Sequence, residues 1–353
     1  MKKIDIFAHI LPEKFLDYCS KYVENWGKIE QTGWITGWPA LCNIDKRLEI
    51  MDRYEDYVQV LLPPGPSGFC CAPEEESNMA RVFNDATAEI VSKYPHKFVG
   101  AVAYLPLHNI DATLKEIDRA IDELGFRGIC LETPVYKVKA PDYEYDPETI
   151  KPLDLPEFMP IYENMSRRKL PIWIHPVGEG GVPVYPGERS GKYGLFLTLG
   201  WTFESAMAMT RLACSGILAK YPDLRIIIHH CGSGVVPVLA GRIDGQMEVD
   251  TALGMKWGHP GEEDPFQIKR PVDYLRMFYA DTALYGDTAG LMCGHAFFGP
   301  EHILFGTDFP WDVEGGDKYV RTTIDAVYRM NISDADKEKI FEGNAKRLLR
   351  LPG

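Results

Sequence analysis

The chain has 353 residues, of which 45% are hydrophobic, 25% charged and 12% aromatic, enough to bury a sizeable core and to exclude a disordered chain. No apolar stretch reaches the ~18–20 residues of a membrane span, and Met1-Lys2-Lys3-Ile4-Asp5-Ile6 carries no signal-peptide apolar region, so a cytoplasmic protein without a membrane partner is expected. With 38 basic against 51 acidic residues the net charge is −13, which repels nucleic-acid phosphates and leaves an anionic small molecule needing local cations in a pocket. The eight cysteines show no CxxC pair and read as buried thiols of a reducing compartment, with Cys70-Cys71 the one adjacent pair.

Eight near-continuous apolar runs recur along the chain: Ile4–Phe7, Val58–Leu62, Phe98–Leu105, Phe126–Leu131, Leu170–His175, Leu224–His230, Met277–Thr282 and His302–Gly306. Runs of this kind are expected of parallel strands buried on both faces. Between them lie stretches with apolar residues at three- and four-residue spacing, predicting helices over Glu74–Tyr94, Asp111–Leu124 and Glu204–Lys220, each closed by a breaker such as Tyr94-Pro95, Gly125 or Tyr221-Pro222. Strand alternating with helix eight times predicts an α/β fold, a single (β/α)8 TIM barrel over residues 1–353. Three insertions follow strands one, four and five: Cys19–Asn43, Tyr136–Pro156 and Val177–Thr202. They are expected to shape the pocket, and Trp26, Trp34, Trp38, Tyr185, Tyr193, Phe196 and Trp201 are either lid packing or a stacking surface for a planar substrate.

In such a barrel the chemistry collects where strands end. Strand one ends at His9, strand five at His175, strand six at His229-His230, and strand eight runs into Asp308. Any one of these reads as a hydrogen-bonded core histidine or aspartate. Four at one mouth instead suggest neutral imidazoles plus a carboxylate around a divalent transition ion. Alternation along a strand lets only one of His229 and His230 face inward, and His230, nearer the loop, is preferred.

The sequence resembles the amidohydrolase superfamily (its amidohydrolase-2 branch), and within it the metal-dependent, non-oxidative decarboxylases. The resemblance runs nearly end to end, through Ile4–Pro12, Arg47–Asp52, Ile174-His175-Pro176, Arg211–Leu218 with Tyr221–Leu224, His230 with its glycine-rich turn, Gly241-Arg242-Ile243, Phe278–Leu284 and Ile303–Pro310. It implies His9, His175 and Asp308 as ligands of one divalent metal, zinc or else manganese, with Asp308 also exchanging protons. It implies His230 as a catalytic group, Arg47 as a substrate-carboxylate ligand, and Arg242 as a substrate ligand reached across a subunit interface, hence a homodimer or dimer of dimers. The alternative for Arg47 is a surface ion pair with Glu49, Asp52 or Asp45, and for Arg242 a buried helix-end pair. One position departs from the family, whose first strand ends His-x-His or Glu-x-His: here the first ligand position is Phe7, which would line the substrate site.

The expected activity is decarboxylation of an aromatic or conjugated carboxylic acid, the metal acting as Lewis acid and Asp308 or His230 protonating carbon. The alternative enzyme is a hydrolase or hydratase of a lactone, amide or unsaturated acid, possibly metal-free, with His230 as base. A barrel that binds a ligand without turnover is the third reading, motivated by Phe7.

Overall fold

The computed structural model describes residues 1–33, 35–65, 71–136, 150–177, 192–255 and 270–351. Its strands, in chain order, are β1 (Lys3–His9), β2 (Tyr57–Leu62), β3 (Phe98–Ala101), β4 (Ile129–Thr133), β5 (Val135–Tyr136), β6 (Ile150–Lys151), β7 (Ile172–Pro176), β8 (Ile226–Ile228), β9 (Tyr279–Asp281) and β10 (Ile303–Leu304). Each of the eight predicted runs overlaps one of these strands, and those eight pair in parallel; β5 and β6 add a short antiparallel pair at the second insertion.

The parallel strands form two sheets, β1-β2-β3 and β10-β9-β8-β7-β4. They meet edge to edge at both ends. A bridge joins Ala103 beyond β3 to Ile129 of β4, and another joins Ala8 of β1 to Phe309 beyond β10. Backbone bonds from Ile6 N to Phe305 O (3.0 Å) and His9 N to Phe309 O (2.8 Å) carry the second junction. The strands are apolar on both sides because each side has its own core. Ile4, Ile6, Val58, Val60, Leu62, Trp173, Ile227 and Leu304 cluster on one side. A larger cluster, including Leu61, Ile172, Ile174, Ile226 and Ile228, packs with the helices on the other.

The predicted helices appear as Pro73–Lys93 and Ile110–Asp122, the latter capped by Asn109 Oδ1 accepting from Ala112 N at 3.0 Å. The predicted helix Glu204–Lys220 is two helices, Trp201–Cys214 and Ile217–Lys220. Gly216 between them has φ +81°, a left-handed conformation that ends an α-helix. Much of the second and third insertions, with Trp34, Cys70 and Tyr185, lies outside the described residues. Among the described residues no helix is long and apolar enough to cross a membrane.

Candidate active site

Four strand ends build one buried cluster. His9 closes β1; its Nδ1 bonds the Pro63 carbonyl at 3.1 Å, and its Nε2 lies 3.2 Å from Asp308 Oδ1. His175 sits on β7 with its ring centre 5.0 Å from that of His9. Gly65, with φ +73°, lets the chain pass close by: a Cβ there would stand 3.4 Å from His175 Nδ1 and 2.9 Å from Val177 Cγ1. Asp308 follows β10 with φ +64° and gives its N–H to Phe7 O at 2.9 Å. Its Oδ2 accepts from the Tyr285 hydroxyl at 2.7 Å and lies 3.8 Å from His230 Nε2.

The expectation that strand alternation leaves only one of His229 and His230 facing inward is corrected here. β8 ends at Ile228, and His230 and Cys231 then take left-handed φ of 59° and 56°. Alternation no longer applies in such a turn, and both rings join the cluster. The Phe7 ring stacks on His229 with centres 3.6 Å apart and meets His9, His230 and His175 edge-on at 4.9, 5.6 and 5.8 Å. The turn is held by Asp281, at the end of β9. Oδ2 accepts from His229 Nδ1 (2.8 Å) and His230 N (3.2 Å), and Oδ1 from Cys231 N (3.0 Å) and Ala283 N (2.9 Å).

Burial sets the protonation states. It pushes His175 well below the usual histidine range, helped by the neighbouring His9, His229 and His230. It also pushes His229 down to about 4, against the pull of Asp281. For His230, burial is outweighed by the Asp308 carboxylate, and the pKa rises. Burial likewise opposes ionisation of Asp308, yet His230 and His9 hold it well below the carboxylate range.

Arg47 is not on the helix surface, and its guanidinium is engaged by internal acceptors. It is fully buried. Its Nε bonds Ala40 O (3.1 Å), one terminal nitrogen bonds Gln59 Oε1 (2.7 Å), and the other the His9 carbonyl, while the guanidinium lies 4.7 Å from the Phe309 ring centre. It is neither a surface ion pair nor a free cation at the mouth. Three internal acceptors already hold the guanidinium in place as a strut behind β1. Arg242 is exposed on the helix Val236–Ala252, with no ion pair among the described residues, so the buried helix-end pair is not found.

Sequence reasoning set His229 aside in favour of His230 and did not single out Asp281 or Tyr285. The signal for Asp281 was present, since an aspartate ends an apolar strand there as His9 and His175 end theirs. Of the insertion aromatics, Trp201 stands 5.8 Å from His175, and Trp38 packs at 5.1 Å against Trp311, itself 5.7 Å from His9. Tyr193 is 91% exposed.

In kind, these donors fit a divalent transition ion. His175 Nδ1, His229 Nε2 and His230 Nδ1 are buried without a hydrogen-bond partner, beside an ionised carboxylate. They are not gathered into a ready cage: no three His, Cys, Asp or Glu side chains among the described residues converge as a metal site, and His9 and Asp308 face each other instead.

Parallel strands alternating with helices and a buried polar cluster at their ends are the frame, and the comparisons with known proteins give the family. The chain belongs to the amidohydrolase family, whose sequence profile matches residues 4–351. It is 29% identical over 315 residues to a gamma-resorcylate decarboxylase of Polaromonas sp. strain JS666, covering 87% of each chain. It is 24% identical to 2-amino-3-carboxymuconate-6-semialdehyde decarboxylase of Dictyostelium discoideum, covering 99% of this chain and 92% of that one. The crystal structure of a dihydroxybenzoic acid decarboxylase from Polaromonas sp. JS666, with bound manganese and the inhibitor 2-nitroresorcinol, superposes with a TM-score of 0.74 at 25% identity, over 99% of this chain and 97% of that one.

Proposed function

We propose that this chain is a metal-dependent, non-oxidative decarboxylase of a hydroxylated aromatic or conjugated carboxylic acid, built as one closed (β/α)8 barrel. The observation that carries the reading is the buried cluster of Asp308, held ionised between His9, His230 and Tyr285, in a chain whose relatives are aromatic-acid decarboxylases. Closure of the barrel is supported by the isolated bridges at Ala103–Ile129 and Ala8–Phe309, which lie between neighbouring edges of the two parallel sheets.

His9, His175 and Asp308 would hold a divalent ion, which when bound supplies a Lewis acid for a substrate phenolate or enolate oxygen. Manganese is the ion of the superposed relative, and zinc is compatible with the same donors. The rest of the chemistry falls to the chain. His230, with its Nε2 3.8 Å from the ionised Asp308, carries the proton that is added to the carboxyl-bearing carbon. The bond from that carbon to the carboxylate then breaks, its electron pair returns to the ring or alkene, carbon dioxide leaves, and water reprotonates the donor. Phe7 and Trp201 wall the cluster and exclude bulk water.

A dimer with Arg242 reaching the partner's site is part of this reading. Arg242 shares a helix face with Val238, Val249 and Leu253, spaced four, seven and four residues apart, all exposed, Val238 at 69%. Cys214 Sγ lies 3.8 Å from Met247 Sδ, setting beside that helix the exposed Phe203 and Met207 of Trp201–Cys214. An apolar face of this kind suits a self-complementary twofold interface.

The test is incubation of manganese- or zinc-loaded protein with 2,6-dihydroxybenzoate, measuring carbon dioxide and the decarboxylated phenol. Release by the native chain and a fall of at least about 100-fold in Asp308→Asn are expected. Uptake of water into a lactone or amide instead would establish a hydrolase.

A further inference from the structure

We infer that the cavity bounded by Trp38, Trp311 and Tyr319, next to the His9–Asp308 pair but outside it, is a binding site for a planar aromatic carboxylate. The decarboxylase reading contributes only the expectation that such acids are this chain's substrates; the site stands on its own geometry.

The cavity encloses about 350 Å³, within the range of small-molecule sites. Trp38, Trp311, Val313 and Tyr319 line it together with Asp312 and Lys318. Its aromatic walls are held in place. Trp38 and Trp311 meet edge to face at 5.1 Å, and the Trp38 indole N–H donates to Asp312 O at 3.0 Å. Tyr319 stacks on Tyr285, 14° from parallel with 4.0 Å between centres. Rings fixed in this way offer a flat ligand a stacking surface with little left to order on binding. Val313, 90% exposed, leaves an apolar side chain uncovered beside them.

The charges select the second feature of the ligand. Each acidic group around the cavity is already claimed. The buried Asp312 carboxylate accepts from Glu314 N (2.7 Å), Gly316 N (3.0 Å) and Tyr319 N (2.7 Å). Glu314 pairs with Arg321 at 3.0 Å, and Asp317 with Arg53 at 3.3 Å. Lys318 is exposed and has no ion pair among the described residues. In a chain of net charge −13, a cation left unpaired at an aromatic cavity favours an anionic ligand, and Arg47 is engaged elsewhere. A flat ring bearing one negative group meets both requirements.

The cavity is also continuous with the catalytic cluster. Trp311 is a shared wall, its ring 5.7 Å from that of His9, and Tyr285, behind Tyr319, donates to Asp308 Oδ2 at 2.7 Å. An acid held here stands one ring away from the reacting groups, where substrate collects before it enters. Trp38 is then a stacking surface for a planar ligand and not only packing of the first insertion.

The experiment titrates the full chain, labelled with 5-fluorotryptophan, with benzoate and follows fluorine-19 NMR. Trp38→Phe and Trp311→Phe assign the two resonances. Benzoate is expected to shift both with a single Kd, and Lys318→Gln, a change at an exposed side chain, to raise that Kd about threefold. Benzyl alcohol, the same ring without the charge, is expected to bind more weakly and to be indifferent to Lys318→Gln. An unmoved Trp38 resonance would overturn the proposal, and so would a benzoate Kd unchanged in Lys318→Gln. A shift confined to Trp311 would place benzoate at His9 and overturn it equally. Carbon dioxide release from 2,6-dihydroxybenzoate tests the decarboxylase reading separately, so either can fail while the other stands.

Discussion

Asp281→Asn exchanges one oxygen for an NH2 group and thereby reverses the hydrogen bonding beneath the cluster. Suppose the amide oxygen keeps the N–H groups of Cys231 and Ala283, which bond Oδ1 at 3.0 and 2.9 Å. Its NH2 then faces His229 Nδ1 and the His230 N–H, where Oδ2 accepted before. His229 can adapt by moving its proton to Nε2, so that Nδ1 becomes the acceptor. The His230 N–H cannot adapt, and a buried donor without an acceptor costs about 1–3 kcal/mol. The opposite amide orientation orphans two backbone donors and costs about twice as much, so the first prevails. With an unfolding entropy of about 2.1 cal/mol/K per residue, a chain of this length loses about 1.4 °C of Tm per kcal/mol, so Tm falls by about 1–4 °C. Nitrogen-15 NMR of histidine-labelled protein should show His229 Nε2 unprotonated in the native chain and protonated in the variant. An unchanged Tm with Nε2 still unprotonated would refute the account of how Asp281 holds this turn.

Other consequences follow from the same structure. Arg47→Met removes the donor from three buried acceptors and should cost about 2–4 kcal/mol, lowering Tm by about 3–5 °C; a stable variant with only a raised KM would return Arg47 to substrate binding. Asp5 is fully buried, and burial raises its pKa from 3.8 to about 6 against hydrogen bonds from Thr307, Tyr57 and Phe7. A carboxyl raised in the folded state contributes stability below its unfolded pKa and loses it as pH rises through the folded one. Relative to Asp5→Asn, the native chain should therefore lose about 2 kcal/mol between pH 4 and 7 in urea unfolding, and a pH-independent difference would contradict the burial argument. Gly65→Ala places a methyl 2.9 Å from Val177 and 3.4 Å from His175 Nδ1 at a left-handed φ, and should lower both Tm and kcat/KM; unchanged kinetics would show that His175 tolerates displacement.

His9, His175 and Asp308 were legible from sequence because each is a polar residue closing an apolar run, and a parallel sheet buried on both faces tolerates such residues only at its ends. The same rule covered Asp281 but was not applied to the seventh run. His229 was lost for another reason. The alternation rule was carried past Ile228, where the chain has left the strand and two consecutive residues adopt positive φ. The glycine-rich stretch after His230 announces a turn but not that it begins at His230 itself, because histidine and cysteine take this conformation only seldom. The burial of Arg47 was not legible because two of its three acceptors are the backbone carbonyls of Ala40 and His9, and carbonyls carry no sequence signature.

A buried polar chain behind β1 connects Arg47, which holds the His9 carbonyl, to the far side of the cluster. From Arg47 it runs through Gln59 Oε1 (2.7 Å), from Gln59 Nε2 to the Tyr57 hydroxyl (2.9 Å), and from Tyr57 to Asp5 Oδ2 (2.6 Å). Asp5 in turn accepts from Thr307 Oγ1 at 2.5 Å, Thr307 N at 3.1 Å and Phe7 N at 3.0 Å. One end of the chain holds the His9 carbonyl and the other the residue before Asp308, so the two strand ends that must face each other are tied through the scaffold. Neither charge is comfortable there: burial pushes Arg47 down to about 10 and Asp5 up to about 6. Such groups contribute little net stability against a well-packed apolar replacement. What they do fix is register, because a hydrogen-bonded chain tolerates far less sliding than an apolar contact. The short His9–Asp308 distance is then a property of the framework, set before any ligand arrives, which is the condition for a site that stabilises developing charge without first reorganising.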